Sequence, residues 1–448
     1  YRYYKMFSAP VNYPAPESMA IPSQLTGEDL KTFRNCKSVI KSIPASSGSG
    51  VGPSSTMLFQ IPTGGLDFMK SGSACIRMKV SVTLTGGPGV TWKFAGNSSS
   101  DAYDWGGASS LFDRINVNFG GVTQSYSNYS NYRNAVLPHA LSPSYFYNDL
   151  KQLEFAGQTK LASTDVQAVK DVYVYVPLIG VGAFNSQTAL PLCLMSSPIQ
   201  LEIQTQTVNK AFAGATTAIT NYSISEASLV YEAIQVEPSF IQALKASKAG
   251  QTFNFRVNDY LSVGPFSPAQ SERTQVGVGL QSLKAILFTE QLQSCNATAL
   301  VEKNYVNNGL SSINFYLDGQ QVSLVNQTDD AVAFGEMNRA LQRLTDSNII
   351  SCLEPTTNVS GTGLRTTYTT GNFLAGASTM NISDWGFSMV GQPASVVSVE
   401  LNHSAASDQA VRWGQATGYS SAVDAYIWCL YDATYSVDLA TGVTSIRK

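Results

Sequence analysis

Two histidines, His139 and His403, six scattered cysteines and five tryptophans are the residues of this chain best equipped for chemistry. A histidine works as a base or a metal ligand only beside a group that orients it or beside further ligands. His403 and Asp408 could be drawn as a base and its orienting carboxylate, but the setting at a strand end makes a surface or turn histidine the expected reading. His139 follows Pro138 in an expected loop, and the two histidines fall at different points of their halves, so no paired metal site follows. Cys36, Cys75, Cys193, Cys295, Cys352 and Cys429 contain no Cys-x-x-Cys and no tight spacing. Buried free thiols are expected, and neither a zinc site nor a required disulfide framework. Asp329 and Asp330 stand before a helical pattern and read as its cap, where negative charge suits the helix dipole, with a calcium site as the lesser reading. Ser47-Gly-Ser-Gly-Val-Gly lacks the lysine and the strand-to-helix setting of a phosphate loop and reads as linker. Trp92, Trp105, Trp385, Trp413 and Trp428 could stack on sugars, but core or interface packing is their expected use. No GxSxG, Walker A, HExxH or dinucleotide fingerprint occurs. No catalytic, cofactor-binding or metal-ligating residue is assigned, and a non-enzyme is expected.

The elements that would position any such residue are strands. Ile76-Arg-Met-Lys-Val-Ser-Val-Thr-Leu alternates apolar and other residues with period two, as do Val172-Tyr-Val-Tyr-Val and Ile199-Gln-Leu-Glu-Ile-Gln. Leu283-Lys-Ala-Ile-Leu-Phe and Ser395-Val-Val-Ser-Val-Glu-Leu are similar. Alternation sets one face on a core and the other toward solvent or a neighbour. Glycine pairs at Gly64-Gly65, Gly86-Gly87, Gly106-Gly107 and Gly120-Gly121 supply turns. Many short strands at this spacing argue for a sandwich or jelly roll. Helical patterns are few: Asp330 to Leu344, Ser144 to Leu153, and a connector from Pro238 to Lys248. Residues 1–49 read as an arm, with an aromatic start, prolines at 10, 14, 16 and 22 and a slight basic excess. Tyr1 in place of a methionine is expected to mark a trimmed start, and no apolar run is long enough for a membrane span.

Composition narrows the class further. The chain has 448 residues, enough for two or three domains, yet only 13% are charged, about half of the roughly 25% usual for soluble domains. With 22 Tyr and 20 Phe, a surface so poor in charge is expected to lie against other subunits. The net charge of −3 argues against broad electrostatic binding of nucleic acid.

The two halves resemble one another. Leu58-Phe-Gln-Ile matches Asn254-Phe-Arg-Val; Ile115-Asn-Val-Asn-Phe-Gly-Gly matches Ile313-Asn-Phe-Tyr-Leu-Asp-Gly; Leu201-Glu-Ile-Gln matches Val399-Glu-Leu-Asn; Tyr231-Glu-Ala matches Tyr431-Asp-Ala. The matches keep their order and are separated by 196 to 200 positions. They imply one β domain of roughly 200 residues carried twice.

Ser110-Leu-Phe-Asp-Arg-Ile-Asn-Val-Asn-Phe-Gly-Gly with the Tyr/Asn-rich stretch after it, Val176-Pro-Leu, Leu190-Pro-Leu and Pro198-Ile-Gln-Leu-Glu-Ile resemble the double jelly-roll major capsid proteins. That family includes adenovirus hexon and the capsid proteins of virophages, large DNA viruses and tailless membrane-containing phages. The resemblance is best in the first half, and the second joins through the repeat. It implies an all-β fold of two tandem eight-stranded jelly rolls with a few short helices, divided as an N-terminal arm over 1–49, a first roll over 50–240 and a second over 241–448. It implies a homotrimeric, hexon-like capsomer of pseudo-hexagonal outline tiling an icosahedral shell, in the virion and made in the host cell. Implied partners are sister chains and neighbouring capsomers, penton or minor capsid proteins, and an internal membrane or genome beneath the arm. No small-molecule substrate and no cofactor are implied. Segments 86–110, 209–222 and 355–380 would form outward or lateral loops. The alternatives are a jelly-roll lectin-like or spike/vertex receptor-binding protein, which needs exposed aromatics beside carboxylates, and a jelly-roll hydrolase, which needs convergent carboxylates or histidines in a cleft.

Overall fold

The computed structural model describes residues 36–48, 50–84, 91–95, 107–136, 149–154, 160–161, 169–186, 188–214, 219–247, 250–293, 310–323, 385–403, 419 and 422–448. The first half forms two facing sheets. One is ordered β1 (Lys37–Pro44), β12 (Ile219–Gln235), β4 (Cys75–Leu84), β9 (Val169–Pro177), with β3 (Asp67–Met69) also on β12. The other is ordered β2 (Thr56–Ile61), β10 (Ile199–Thr205), β6 (Phe112–Phe119), β7 (Val122–Tyr126). All these pairs are antiparallel. Period-two alternation makes the core: Ile76, Met78, Val80 and Val82 of β4 point inward with Phe59, Val117, Leu201 and Val174, while Arg77, Lys79 and Ser81 point out. A small sheet of β5 (Thr91–Phe94), β8 (Lys160–Leu161) and β11 (Phe212–Gly214) closes one end, where Trp92, Phe94, Phe212 and Tyr222 pack edge-to-face and stacked.

Strand β12 reverses its inward face twice, at register shifts between Ile219 and Asn221 and between Ser225 and Ser228. Each bulge adds a residue and moves the apolar set by one position. Glu226 takes the left-handed conformation that the second bulge requires (φ 52).

The second half repeats the plan with longer strands. A 7-stranded sheet runs β13 (Thr252–Phe266), β18 (Val423–Asp438), β14 (Ser271–Leu292), β17 (Trp385–His403), β15 (Leu310–Leu317), β16 (Gln320–Gln321), with β19 (Thr444–Arg447) on β18. The start of β14 pairs with the end of β17, and the end of β14 pairs with both β18 and the start of β17. Register shifts between Gly277 and Ala285 let β14 pass from one face of the sandwich to the other. Each half therefore has the jelly-roll strand order, and the fold is two tandem jelly rolls.

The repeat holds at the level of pairing. Val117 faces Leu201 in the first roll and Phe315 faces Val399 in the second, each position displaced by 198 residues. The flanking pairs Asn116–Glu202 and Asn314–Glu400, and Ile115–Ile203 and Ile313–Leu401, follow in the same register. Both copies turn tightly after this strand, through Gly120-Gly121 and through Asp318-Gly319, with positive φ at all four residues. Tyr231 and Tyr431 likewise occupy matching strands, β12 and β18.

Several expectations need correction. Phe59 and Phe255 are not equivalent: Phe59 lies on β2 opposite Leu201, whereas Phe255 lies on β13, which pairs with β18 as β1 pairs with β12. Phe-x-aliphatic is too generic a strand pattern to fix the correspondence. Within the expected arm, Lys37–Pro44 is an edge strand of the first sheet, and Val51 bridges to Ile224, so the stretch after it joins two strands of one roll. Lys41 turns inward from this edge to pair with Asp67, a charge placement that discourages further strand pairing. Segment 209–222 contains β11 and the start of β12, and Ala108–Leu111 is a buried 3-10 turn, so neither is simply an outward loop. Of the helix expected over 144–153, Lys151–Leu153 is an α-helical turn, and 144–148 lie outside the described residues. The connector is the helix Pro238–Ser247. The helix over 330–344, segment 355–380, His139, Asp408 and residues 1–35 also lie outside the described residues.

Candidate functional site

Two places concentrate the functional geometry: the seam where the rolls meet, and the outer sheet faces. The seam is built from β7 and the helix Tyr129–Ala135 on the first roll and from β13 and β18 on the second. Asn128, left-handed at φ 52, starts that helix and donates to the Gly264 carbonyl (3.0 Å) and to the Ser262 hydroxyl (3.2 Å). Tyr132 then stacks on Tyr260 with centroids 3.9 Å apart, and Tyr126 packs on the same ring at 5.4 Å. Phe119 meets Tyr435 edge-on at 5.3 Å, and the buried Gln124 amide donates to the Tyr431 hydroxyl (2.7 Å). Gly182 brings backbone against β13: a methyl group there would sit 2.6 Å from a Val257 methyl and 2.9 Å from the Asn258 carbonyl. Such close aromatic pairs each contribute about 0.5–1.5 kcal/mol beyond area burial. The core is continuous across the seam, which makes the two rolls one body.

The buried ionisable groups are internal braces. Arg133 pairs with Glu154, both nearly inaccessible, and also donates to the Pro177 carbonyl (3.0 Å). Burial raises the Glu154 carboxyl, and the Arg133 guanidinium and the Ser109 donor only partly offset it. His403 is not a surface histidine. Its ring is fully enclosed, with Nε2 3.0 Å from a Glu290 oxygen and Nδ1 3.0 Å from the Gln270 carbonyl. Burial lowers this imidazole, but the Glu290 carboxylate and the Gln270 and Ala269 carbonyls outweigh it and leave it raised. Trp92 and Trp428 are buried in packing, as expected of core tryptophans. Cys193 and Cys429 are buried free thiols, and Cys36 and Cys75 are half-buried and free. Among the described residues, no three potential metal ligands cluster.

Part of the charge on the outer faces is paired, in Lys70–Glu232, Lys79–Asp171 and Lys284–Asp432. On β9, Tyr173 and Tyr175 are exposed (50% and 38%), and Lys79 spans the Tyr173 ring and the Asp171 carboxylate, 2.8 Å away. Hydrogen bonds from Lys79 and Ser81 hold the Asp171 carboxyl below its ordinary value. On the second roll, Ser271, Asn402 and Ser312 form a hydrogen-bonded ladder across three strands. Arg273 lies over the Tyr316 ring at 3.8 Å, and Tyr316 donates to Glu400. Sequence reasoning missed the seam, since its partners lie far apart in the chain, 75 residues for Gly182 and Val257 and 307 for Gln124 and Tyr431. The one visible signal was the Tyr/Asn density of residues 125–134.

The chain is similar in structure to PBCV-1 VP54, as fitted into a cryo-EM reconstruction of the virophage Sputnik, with TM-score 0.57 and 12% identity over 93% of this chain and 98% of that one. It is similar to a chain of the PBCV-1 virus capsid with TM-score 0.56 and 13% identity, again over 93% and 98%. A chain of the Sputnik virophage structure matches with TM-score 0.54 and 10% identity over 92% of this chain and 88% of that one. No protein-family model and no curated protein matches the sequence.

Proposed function

We propose that this chain is a major capsid protein, three copies of which form a pseudo-hexagonal capsomer that tiles an icosahedral viral shell. The observation that carries the reading is the duplication itself: the Val117–Leu201 and Phe315–Val399 pairs stand in one register within two rolls fused by a packed seam. Three such chains present six rolls, so a three-fold object offers nearly equivalent sides to six neighbours. The low charge content of 13% fits a molecule whose flanks lie against sister copies, where many modest contacts add up. The near-complete coverage of chains from the PBCV-1 capsid and the Sputnik virophage supports the same assignment.

In this reading the rolls divide at the connector Pro238–Ser247. Penton or minor capsid proteins complete the shell, with an internal membrane or the genome as further partners beneath the capsomer. The chain performs no catalysis. A lectin-like or receptor-binding role would use exposed aromatics beside a free carboxylate. Tyr173 and Tyr175 are exposed, but the nearby Asp171 is taken up by Lys79 and Ser81.

Size-exclusion chromatography with light scattering on the full chain tests the reading. A stable species of three times the 48.1 kDa chain mass supports it, and a monomer at all concentrations, with affinity for glycans, overturns it.

A further inference from the structure

Asp259 sits on β13 at the point where the second roll touches the first, and it is 2% exposed. The Tyr260 backbone N–H donates to one carboxyl oxygen (3.1 Å) and the Tyr435 hydroxyl to the other (3.3 Å). Tyr126, across the seam, faces the carboxyl, and its hydroxyl accepts from the Gly182 N–H at 3.0 Å. The Gly182 backbone closes the site, since a methyl group there would lie 3.0 Å from the Asp259 carboxyl carbon. Tyrosines therefore approach from β7 (Tyr126), from the helix Tyr129–Ala135 (Tyr129, Tyr132), from β13 itself (Tyr260) and from β18 (Tyr431, Tyr435), with the Cys429 thiol nearby on β18. Arg133 on the helix is committed to Glu154. The Lys284–Asp432 pair belongs to the opposite face of β13, reached through Asn258. Lys448 acts on the carboxyl through space, and no described cation forms an ion pair with it.

We infer that Asp259 is a proton-operated latch on the seam: protonated, it holds the two rolls together through tyrosine hydroxyls, and ionised, it loosens them. A neutral carboxyl both donates and accepts in this ring of hydroxyls, whereas a carboxylate would be a buried charge without a counter-ion. Burial pushes the Asp259 carboxyl up to about 7, and its hydrogen bonds and Lys448 pull it back only in part. The native state thus keeps a proton that the unfolded chain releases near pH 4. The stabilisation is complete below that pH, declines as pH rises, and is gone above about 7. This goes beyond the shell assignment and does not depend on it.

The test is thermal unfolding of the full chain and of Asp259→Asn from pH 5 to 8, with hydrogen exchange in the wild type over the same range. The wild-type midpoint is expected to fall by several degrees more than that of Asp259→Asn. Protection factors of residues 122–136 and 252–266 should drop at least tenfold across the range while those of β4 hold. Equal midpoint slopes in the two proteins overturn the proposal, as does seam protection that is independent of pH. Should Asp259→Asn fail to fold, infrared difference spectra of the wild type decide: a protonated-carboxyl C=O band lost between pH 6 and 8 supports the latch, and no such band overturns it.

Discussion

Leu201 and Val399 occupy the same position in two copies of one sandwich, each fully buried and each opposite the third residue of an Ile-Asn-Val or Ile-Asn-Phe strand. Equivalent positions should respond alike to truncation. Leu201→Ala is expected to cost about 2–5 kcal/mol of stability through lost burial and the cavity left behind. Val399→Ala, which removes less, should cost somewhat less. Because the seam couples the rolls, both should lower one shared unfolding transition in a denaturant titration, and two well-separated transitions would count against a single body.

The seam makes a sharper prediction at glycine. Gly182→Ala drives a methyl group into Val257 and the Asn258 carbonyl and should destabilise by about 1–3 kcal/mol. Gly277→Ala, whose new methyl group meets nothing within 4 Å, should leave stability within about 0.5 kcal/mol of wild type. Comparable losses at both sites in calorimetry would mean that the rolls do not approach as closely as described.

Arg133 and Glu154 form a buried pair, so removing one partner strands the other. Arg133→Leu should cost about 3–5 kcal/mol at neutral pH. Without the guanidinium the Glu154 carboxyl, already raised by burial, rises further, so the variant should lose stability as pH climbs from 4 and recover on acidification. Unfolding midpoints at pH 4.5 and 7.5 distinguish this from a general packing defect, which would not depend on pH.

His403 has the same sign by a different route. Its imidazole is raised in the folded chain, so the stabilisation is complete below the ordinary histidine value of about 6.5 and is lost as pH rises through the folded value. His403→Gln should flatten that part of the stability–pH curve. NMR titration of the ring against pH provides the direct reading, and an imidazole that titrates below 6.5 would refute it.

Much of this was legible in the sequence, and the exceptions have physical causes. The alternation in Ile76–Leu84 and Ile199–Gln204 fixes two core strands, and the Ile115 and Ile313 segments disclose the repeat because strand, register and turn all recur together. Phe59 and Phe255 misled because a single Phe-x-aliphatic match carries no register. Lys37–Pro44 was hidden by its lysines, which an edge strand tolerates and an arm also contains. The enclosure of His403 could not be read locally, since its partners Gln270 and Glu290 stand more than a hundred residues earlier: the Ser271–Asn402 pair brings Gln270 beside it, and Glu290 comes from the far end of β14, which pairs with β18.

Cryo-electron microscopy of the purified full chain under assembly conditions tests the central claim most directly. The account predicts three-fold particles showing six upright rolls in a pseudo-hexagonal outline, packed side by side into flat sheets or closed shells. Monomers or two-fold dimers that never tile, at concentrations where the chain is folded, would contradict it.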